Sequence, residues 1–133
     1  MTNLQFAEFL SDEELQKVAP LLKRLKKLDD RSESQEDFLR FVKNIWSGFI
    51  EGKHHKIYGE KLQAVADGKI KRLIINMPPR HTKSEFASYL FPTWLMGKRP
   101  DLKIIQATHT AELAVGFGRK VKNLIDSEEF RDV

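Results

Sequence analysis

The chain has 133 residues, of which 41% are hydrophobic and 32% are charged, values that suit one folded domain or part of a larger one. It contains no cysteine, which excludes a disulfide framework, a zinc ribbon and a cysteine nucleophile. The 23 basic and 19 acidic side chains give a net charge of +4, which permits a nucleic-acid or phosphate partner without requiring one. No apolar run is long enough to cross a bilayer and the N-terminus lacks the pattern of a signal peptide, so we expect a cytosolic protein.

Residues 1–51 predict a helical segment. The sequence Ser-x-x-Glu at Ser11 has the form of a capping box, and a leucine-rich stripe at helical spacing follows it, with Pro20 expected to kink or divide the helix. The polar stretch 29–35 predicts a linker, at the end of which Ser34 is placed to cap the next helix. That helix carries one apolar stripe, made of Phe38, Phe41, Val42, Ile45 and Phe49.

Positive charge is concentrated in residues 53–83. This stretch contains eight basic residues and two acidic ones, so its excess of six exceeds the net charge of the whole chain. Three of the four histidines, His54, His55 and His81, fall in or beside the same stretch. The pattern therefore places any contact with phosphate groups in this part of the chain.

The second half alternates predicted helices and strands. Residues 58–66, 84–96 and 110–125 show helical spacing of apolar side chains, and the first of these helices stops at Asp67-Gly68. Residues 73–77 and 103–108 are short apolar runs rich in branched side chains, which is typical of buried strands. Strand, loop, helix, strand, helix is the order found in a parallel α/β sheet, and we expect that fold class.

The loop between the first strand and its helix indicates phosphate chemistry. A phosphate-binding loop needs a buried strand, a tight turn of backbone amides, and Lys-Ser or Lys-Thr opening a helix; Lys83 and Ser84 stand in those positions. The strict glycine pattern fails, because Met77 and Thr82 occupy the two glycine positions. If Thr82 is left-handed there, the conformation costs about 1–2 kcal/mol.

These residues resemble a known family. Residues 72–84, RLIINMPPRHTKS, look like the variant Walker A segment of the large terminase subunit of tailed bacteriophages. The downstream residues 104–114, IIQATHTAELA, and 117–119, FGR, are similar to the same family. The resemblance covers about residues 52–130 and is faint over the first fifty.

The resemblance implies a fold and an activity. It implies a P-loop NTPase with a RecA-like parallel sheet, incomplete here: residues 1–51 would be a helical N-terminal segment and 52–133 the first part of the ATPase domain, with the Walker B strand and the nuclease domain outside the chain. The full-length protein would hydrolyse ATP and carry a C-terminal endonuclease. It would form a homo-oligomeric ring at the procapsid portal in the host cytoplasm, with double-stranded DNA, the portal protein and the small terminase subunit as partners.

The resemblance also assigns roles to individual residues. Lys83 and Ser84 would bind ATP and Mg²⁺, with the Ser84 hydroxyl on the metal, and Arg80 would reach the γ-phosphate, so that Arg80 and Lys83 are the candidate catalytic residues. Residues 52–54, GKH, resemble a Gly-Trp-His element of related terminases, which would give His54 an adenine-sensing position. The nucleotide-binding set is Pro79, Arg80, His81, Thr82, Lys83, Ser84 and His54.

Two other functions remain open on the sequence. The chain could belong to another RecA-like DNA motor such as a helicase, or it could be a basic DNA-binding module without catalysis. Phosphoryl transfer requires a strand that ends in acidic residues to hold the metal and the attacking water, and neither predicted strand ends in this way. We therefore expect negligible ATP hydrolysis by this chain alone.

Overall fold

A computed structural model describes residues 12–131, together with the side chains of residues 16–131. Described residues form seven α-helices and one π-helical turn. Their bounds are α1 (Asp12–Glu36), α2 (Phe38–Ile45), α3 (Lys53–Ala66), α4 (Lys83–Glu85), the π turn (Phe86–Leu90), α5 (Phe91–Lys98), α6 (Ala111–Ile125) and α7 (Glu128–Arg131).

Helix α1 differs from its prediction at two places. It continues through Pro20, and it also includes the segment 29–35 that the sequence predicts as a linker. Ser34 is fully buried there, where its hydroxyl donates to the carbonyl of Asp30 at 2.7 Å and accepts from the side-chain amide of Asn44 at 2.5 Å. The predicted capping role of Ser34 is therefore wrong, because Asp37 caps α2 instead. The capping box predicted at Ser11 lies outside the described residues.

An aromatic cluster forms the centre of the core. The buried ring of Phe38 makes edge-to-face contacts with Phe86 at 5.6 Å and Phe91 at 5.5 Å between ring centroids, and a tilted contact with Trp94 at 5.6 Å. The indole N–H of Trp94 donates to the carbonyl of Ser34 at 2.8 Å, in a fully enclosed position. These contacts join α1 and α2 to the helical segment that follows the predicted phosphate loop.

The predicted parallel sheet is wrong for this structure. Residues 12–131 contain no β-strand, and the two predicted strands, 73–77 and 103–108, form no ladder of hydrogen bonds and belong to no regular element. Along the first segment Leu73, Ile75 and Met77 pack against the core, whereas the side chain of Ile74 is 88% exposed. The α/β, RecA-like fold class predicted above is therefore replaced by a helical one.

The physical reason lies in what a strand requires. An apolar extended segment becomes part of a sheet only when a neighbouring strand satisfies its backbone N–H and C=O groups. Among the described residues, helices cover one face of segment 73–77 and no strand pairs with its edges. Ile105 in the second segment is 95% exposed, and the buried side-chain amide nitrogen of Gln106 has no hydrogen-bond partner. The apolar, branched composition that predicted strands here does not report whether a partner strand is present.

Residues 83–98 form one continuous helical run with a widened centre. The sequence predicts a kink or an early end at Pro92, but the helix passes through it. Proline cannot donate a backbone hydrogen bond and its ring crowds the preceding turn, and the π turn immediately before α5 accommodates both effects. The run therefore carries Lys83 at its first residue and Trp94 in the core.

Helix α3 packs closely against α2 at a glycine. A Cβ atom added to Gly59 would overlap the side chain of Leu39, so only glycine permits this approach. The backbone N–H of Phe38 also donates to the side-chain carbonyl of Gln63 at 3.1 Å. These contacts fix α3 relative to α2, and α3 carries the side chains that touch the predicted phosphate loop.

Replacing Phe38 tests the aromatic cluster. We expect Phe38→Ala to lower the free energy of unfolding by about 3–5 kcal/mol, because it removes a fully buried ring and leaves a cavity among three other rings. Urea unfolding followed by far-UV circular dichroism measures the change. Leu25→Ala is the control, since Leu25 is 59% exposed on α1 and its loss should cost less than about 0.5 kcal/mol. Equal losses for the two variants would contradict the assignment of the core.

Candidate phosphate-binding site

The structure brings the predicted nucleotide-binding residues together at one end of α3. Residues 79–82 form a turn and bend that lead into α4, so Lys83 and Ser84 open a helix as predicted. His54 lies in the first turn of α3, and its ring centroid is 5.7 Å from that of His81. Pro79, Arg80, His81 and Ser84 are exposed, while Thr82 and Lys83 are half-buried.

The loop backbone is strained at two residues. Arg80 has φ 64° and Thr82 has φ 59°, both in the left-handed region. This conformation is uncommon for any residue with a Cβ and rare for a β-branched one, and it costs about 1–2 kcal/mol per residue. Thr82 thus meets the condition under which the sequence analysis assigned this cost. Contacts with the surroundings must offset the cost, because a free loop of this sequence would relax.

Two contacts from α3 and one from the preceding segment hold this loop. The phenol of Tyr58 donates to the carbonyl of Lys83 at 2.9 Å, and His55 Nε2 lies 2.9 Å from Thr82 Oγ1. The ammonium group of Lys83 donates to the carbonyl of Met77 at 3.2 Å, which bridges the two ends of the loop. The loop is thus held from both sides while the side chains of Arg80 and Ser84 stay exposed to solvent.

Tyr58 serves the loop as a neutral donor. It is 4% exposed and its ring stacks on Phe86 at 5.3 Å between centroids. Burial raises the pKa of Tyr58 to about 12, so the phenol keeps its proton throughout the physiological range. The hydrogen bond to the carbonyl of Lys83 is accordingly present at any pH at which the protein is folded and the phenol is neutral.

His55, rather than His54, is the buried histidine of the site. His55 is 7% exposed, whereas His54 is exposed, and its ring is tilted against that of His55 at 3.8 Å between centroids. Burial lowers the pKa of His55, and the nearby His54 lowers it further. Sequence reasoning missed His55 and Tyr58 as site residues. The available signal was their spacing, since positions three apart on a helix share a face and both precede the loop.

The site is electropositive and offers one hydroxyl for a metal. The Arg80 guanidinium and the Lys83 ammonium group both belong to the loop, and a guanidinium fork matches phosphate oxygens. Within residues 12–131 no group of three or more histidine, cysteine, aspartate or glutamate side chains could hold a metal ion. The exposed hydroxyl of Ser84 still suits Mg²⁺, which keeps most of its waters and takes its remaining ligands from the phosphates of the nucleotide.

Comparison with known proteins adds no identification. No family model matches the chain, and neither the curated proteins nor the solved structures include a match to it. In the part of the chain that the structure describes, no helix is long and apolar enough to cross a membrane. Any function must therefore be argued from the site itself and from the resemblance of its motif.

The lowered pKa of His55 predicts how stability depends on pH. The unfolded state binds the proton near pH 6.5 and the folded state binds it less readily, so the free energy of unfolding falls as the pH decreases through about 6.5. We expect wild-type protein to lose more stability than His55→Gln between about pH 7.5 and about pH 5. Urea unfolding across this range measures both slopes. His109→Gln, at an exposed histidine, should keep the wild-type slope; a wild-type slope in His55→Gln would contradict the assignment.

Proposed function

We propose that this chain binds the triphosphate of ATP, with Mg²⁺, through residues 79–84. In the wider protein it would serve as the nucleotide-binding part of a DNA-packaging motor of the large-terminase kind. The observation that carries the proposal is the backbone around Lys83. Lys83 opens a helix immediately after a loop in which Arg80 and Thr82 are left-handed. The motif resemblance supports the choice of nucleotide and of motor.

Charge and backbone dipoles favour an anion at the start of the helical run 83–98. The N-terminal turn of a helix presents unpaired N–H groups, and here they belong to Lys83, Ser84 and Glu85 at the start of the run 83–98. The Lys83 ammonium group lies over the loop, within reach of the carbonyl of Met77. Phosphate oxygens entering the loop would replace that carbonyl as the acceptor and gain a charge-assisted hydrogen bond.

The exposed side chains of the loop would contact the terminal phosphate and the metal. Arg80 projects from an exposed, left-handed position and would contact the terminal phosphate as a bidentate donor. Ser84 would hold Mg²⁺ through its hydroxyl, and the bound ion would neutralise charge on the β- and γ-phosphate oxygens. Nδ1 of His81 donates a hydrogen bond to the carbonyl of Pro79 at 2.9 Å. Because the ring is engaged there, His81 would contact the ligand through its backbone N–H.

Exposed basic side chains beside the loop offer a surface for DNA. Seven basic residues of 53–83 have exposed side chains, which suits a polyanion: Lys53, Lys56, Lys61, Lys69, Lys71, Arg72 and Arg80. Lys69 is paired with Asp67 at 3.0 Å and Lys56 with Glu51 at 4.0 Å, so these two contribute less than the others. We propose double-stranded DNA as the partner of this surface, and the portal and small terminase proteins as partners of the assembled ring, on the basis of the resemblance.

Charge removal at Lys83 tests nucleotide binding. We expect Lys83→Ala to weaken binding of a non-hydrolysable ATP analogue with Mg²⁺ by about 10- to 100-fold, since it removes a charged donor to phosphate. Isothermal titration calorimetry measures the dissociation constant. Lys122→Ala is the matched control, because it removes the same charge from an exposed position on α6. Equal effects of the two substitutions would contradict the proposed site.

The same chain should not turn over ATP by itself. Among the described residues, the ammonium group of Lys83 hydrogen-bonds a carbonyl, and no acidic cluster exists that could hold a metal. We expect no sustained phosphate release above the level of a Lys83→Ala variant, because positioning of the attacking water requires acidic residues that this site lacks. A phosphate-release assay at saturating ATP and Mg²⁺ measures the rate. Sustained release that Lys83→Ala abolishes would refute the expectation.

A further inference from the structure

A directed chain of hydrogen bonds runs from the start of α3 into the phosphate loop. The backbone N–H of Gly52 donates to Nδ1 of His55 at 2.9 Å, so this nitrogen is the acceptor and the ring proton resides on Nε2. Nε2 therefore donates to the hydroxyl of Thr82 at 2.9 Å, and that hydroxyl donates to the carbonyl of His81 at 2.6 Å. Because Gly52 N–H can only donate, every bond in the chain has one direction and the neutral tautomer of His55 is fixed.

The ring of His55 is also fixed in place by its neighbours. It lies 4.9 Å from the ring of Phe49 and stacks on Phe86 at 5.4 Å between centroids. Phe86 is fully buried and begins the π turn that follows the loop. Because the ring is buried and packed between two aromatic side chains, its position is fixed. The hydrogen bond from Nε2 therefore fixes the position of the Thr82 hydroxyl.

Thr82 is the residue whose backbone most needs such an anchor. It carries a β-branched side chain in a left-handed conformation and stands directly before the helix that Lys83 opens. A rotation of its backbone would redirect the N–H groups of the following residues, which are the groups that phosphate would contact. Among the described contacts, the Thr82 side chain makes its hydrogen bonds through its hydroxyl, with His55 Nε2 and the carbonyl of His81.

We infer that His55 is a positioning residue of the phosphate site: it holds Thr82 in the left-handed conformation through Nε2 and thereby aims the loop amides at the bound phosphates. The inference rests on the proposed function for its ligand, but its geometric part concerns the loop alone. The charged and titratable groups that face His55 are His54, Glu51 and His81. The hydrogen bond from His55 Nε2 to the Thr82 hydroxyl is direct.

Two substitutions separate positioning from packing. His55→Phe keeps a ring between Phe49 and Phe86 but cannot hydrogen-bond to Thr82, while His55→Gln keeps a side-chain N–H donor at a similar reach. His109→Phe is the control, since it removes an exposed histidine distant in sequence from the loop. Each protein is compared with wild type by thermal unfolding, by NMR of the nucleotide-free state, and by calorimetric titration with a non-hydrolysable ATP analogue and Mg²⁺.

The NMR readout reports the loop without any ligand. Carbon chemical shifts of Thr82 distinguish a left-handed from an extended backbone, and the ring nitrogen shifts of His55 report its tautomer. We expect wild type to show a left-handed Thr82 and the Nε2–H tautomer, and His55→Phe to lose the left-handed signature. His55→Gln should restore part of it. An unchanged Thr82 in His55→Phe would overturn the inference, whatever the outcome of the binding experiment.

The binding readout links the loop to its ligand. We expect His55→Phe to weaken the nucleotide by about 3- to 10-fold, His55→Gln to recover part of that loss, and His109→Phe to bind as wild type. A His55→Phe variant that only unfolds at lower temperature, with unchanged affinity, would show a packing role and overturn the inference. If wild type itself fails to bind the nucleotide, the proposed function is wrong, and the Thr82 shifts alone decide whether His55 holds the loop.

Discussion

The packing of α3 against Phe86 is the interaction on which the rest of the structure depends. Phe86 is fully buried, contacts Phe38 and Phe49, and stacks on His55 and Tyr58 of α3. Phe86 follows the phosphate loop by only two positions. The aromatic core therefore fixes the backbone directly after the loop. Any change that loosens the core at Phe86 therefore reaches the loop as well.

This coupling explains how an unfavourable loop persists. Thr82 and Arg80 occupy left-handed conformations that their side chains disfavour. The two side chains of α3 that contact Phe86, His55 and Tyr58, also hydrogen-bond Thr82 and the carbonyl of Lys83. Burial of these two rings therefore also fixes the conformation of the loop. A glycine-rich loop needs no such anchoring, because glycine adopts the left-handed region freely. Here tertiary contacts replace the missing glycines.

Sequence patterns predicted individual helices better than they predicted how the segments of the chain pack together. Apolar spacing located α6 well, since the sequence predicts a helix over 110–125 and α6 spans Ala111–Ile125, with Thr110 as a cap that accepts from the N–H of Leu113. The parallel sheet was wrong because strand formation depends on a partner segment, which composition does not report. The linker at 29–35 was also wrong, since burial of Ser34 beneath Trp94 overrides its polar sequence. Burial is a property of the fold, and residue type alone does not reveal it.

The candidate site shows the same division. The loop and the helix start at Lys83 follow from the order of residues along the chain. The choice between His54 and His55 does not, because adjacent helical residues differ by about 100° in direction and only packing shows which one is buried. The motif identifies the residues expected to touch phosphate, whereas the structure identifies the residues that hold them in place.

The most direct test of phosphate binding is a map of backbone amide shifts on titration with a non-hydrolysable ATP analogue and Mg²⁺. We expect saturable shifts confined to the loop 79–84, the first turn of the following helix, and His55. Titration with Mg²⁺ alone should leave these amides unmoved. Saturating shifts centred elsewhere, or no shifts at millimolar nucleotide in a folded protein, would contradict the account.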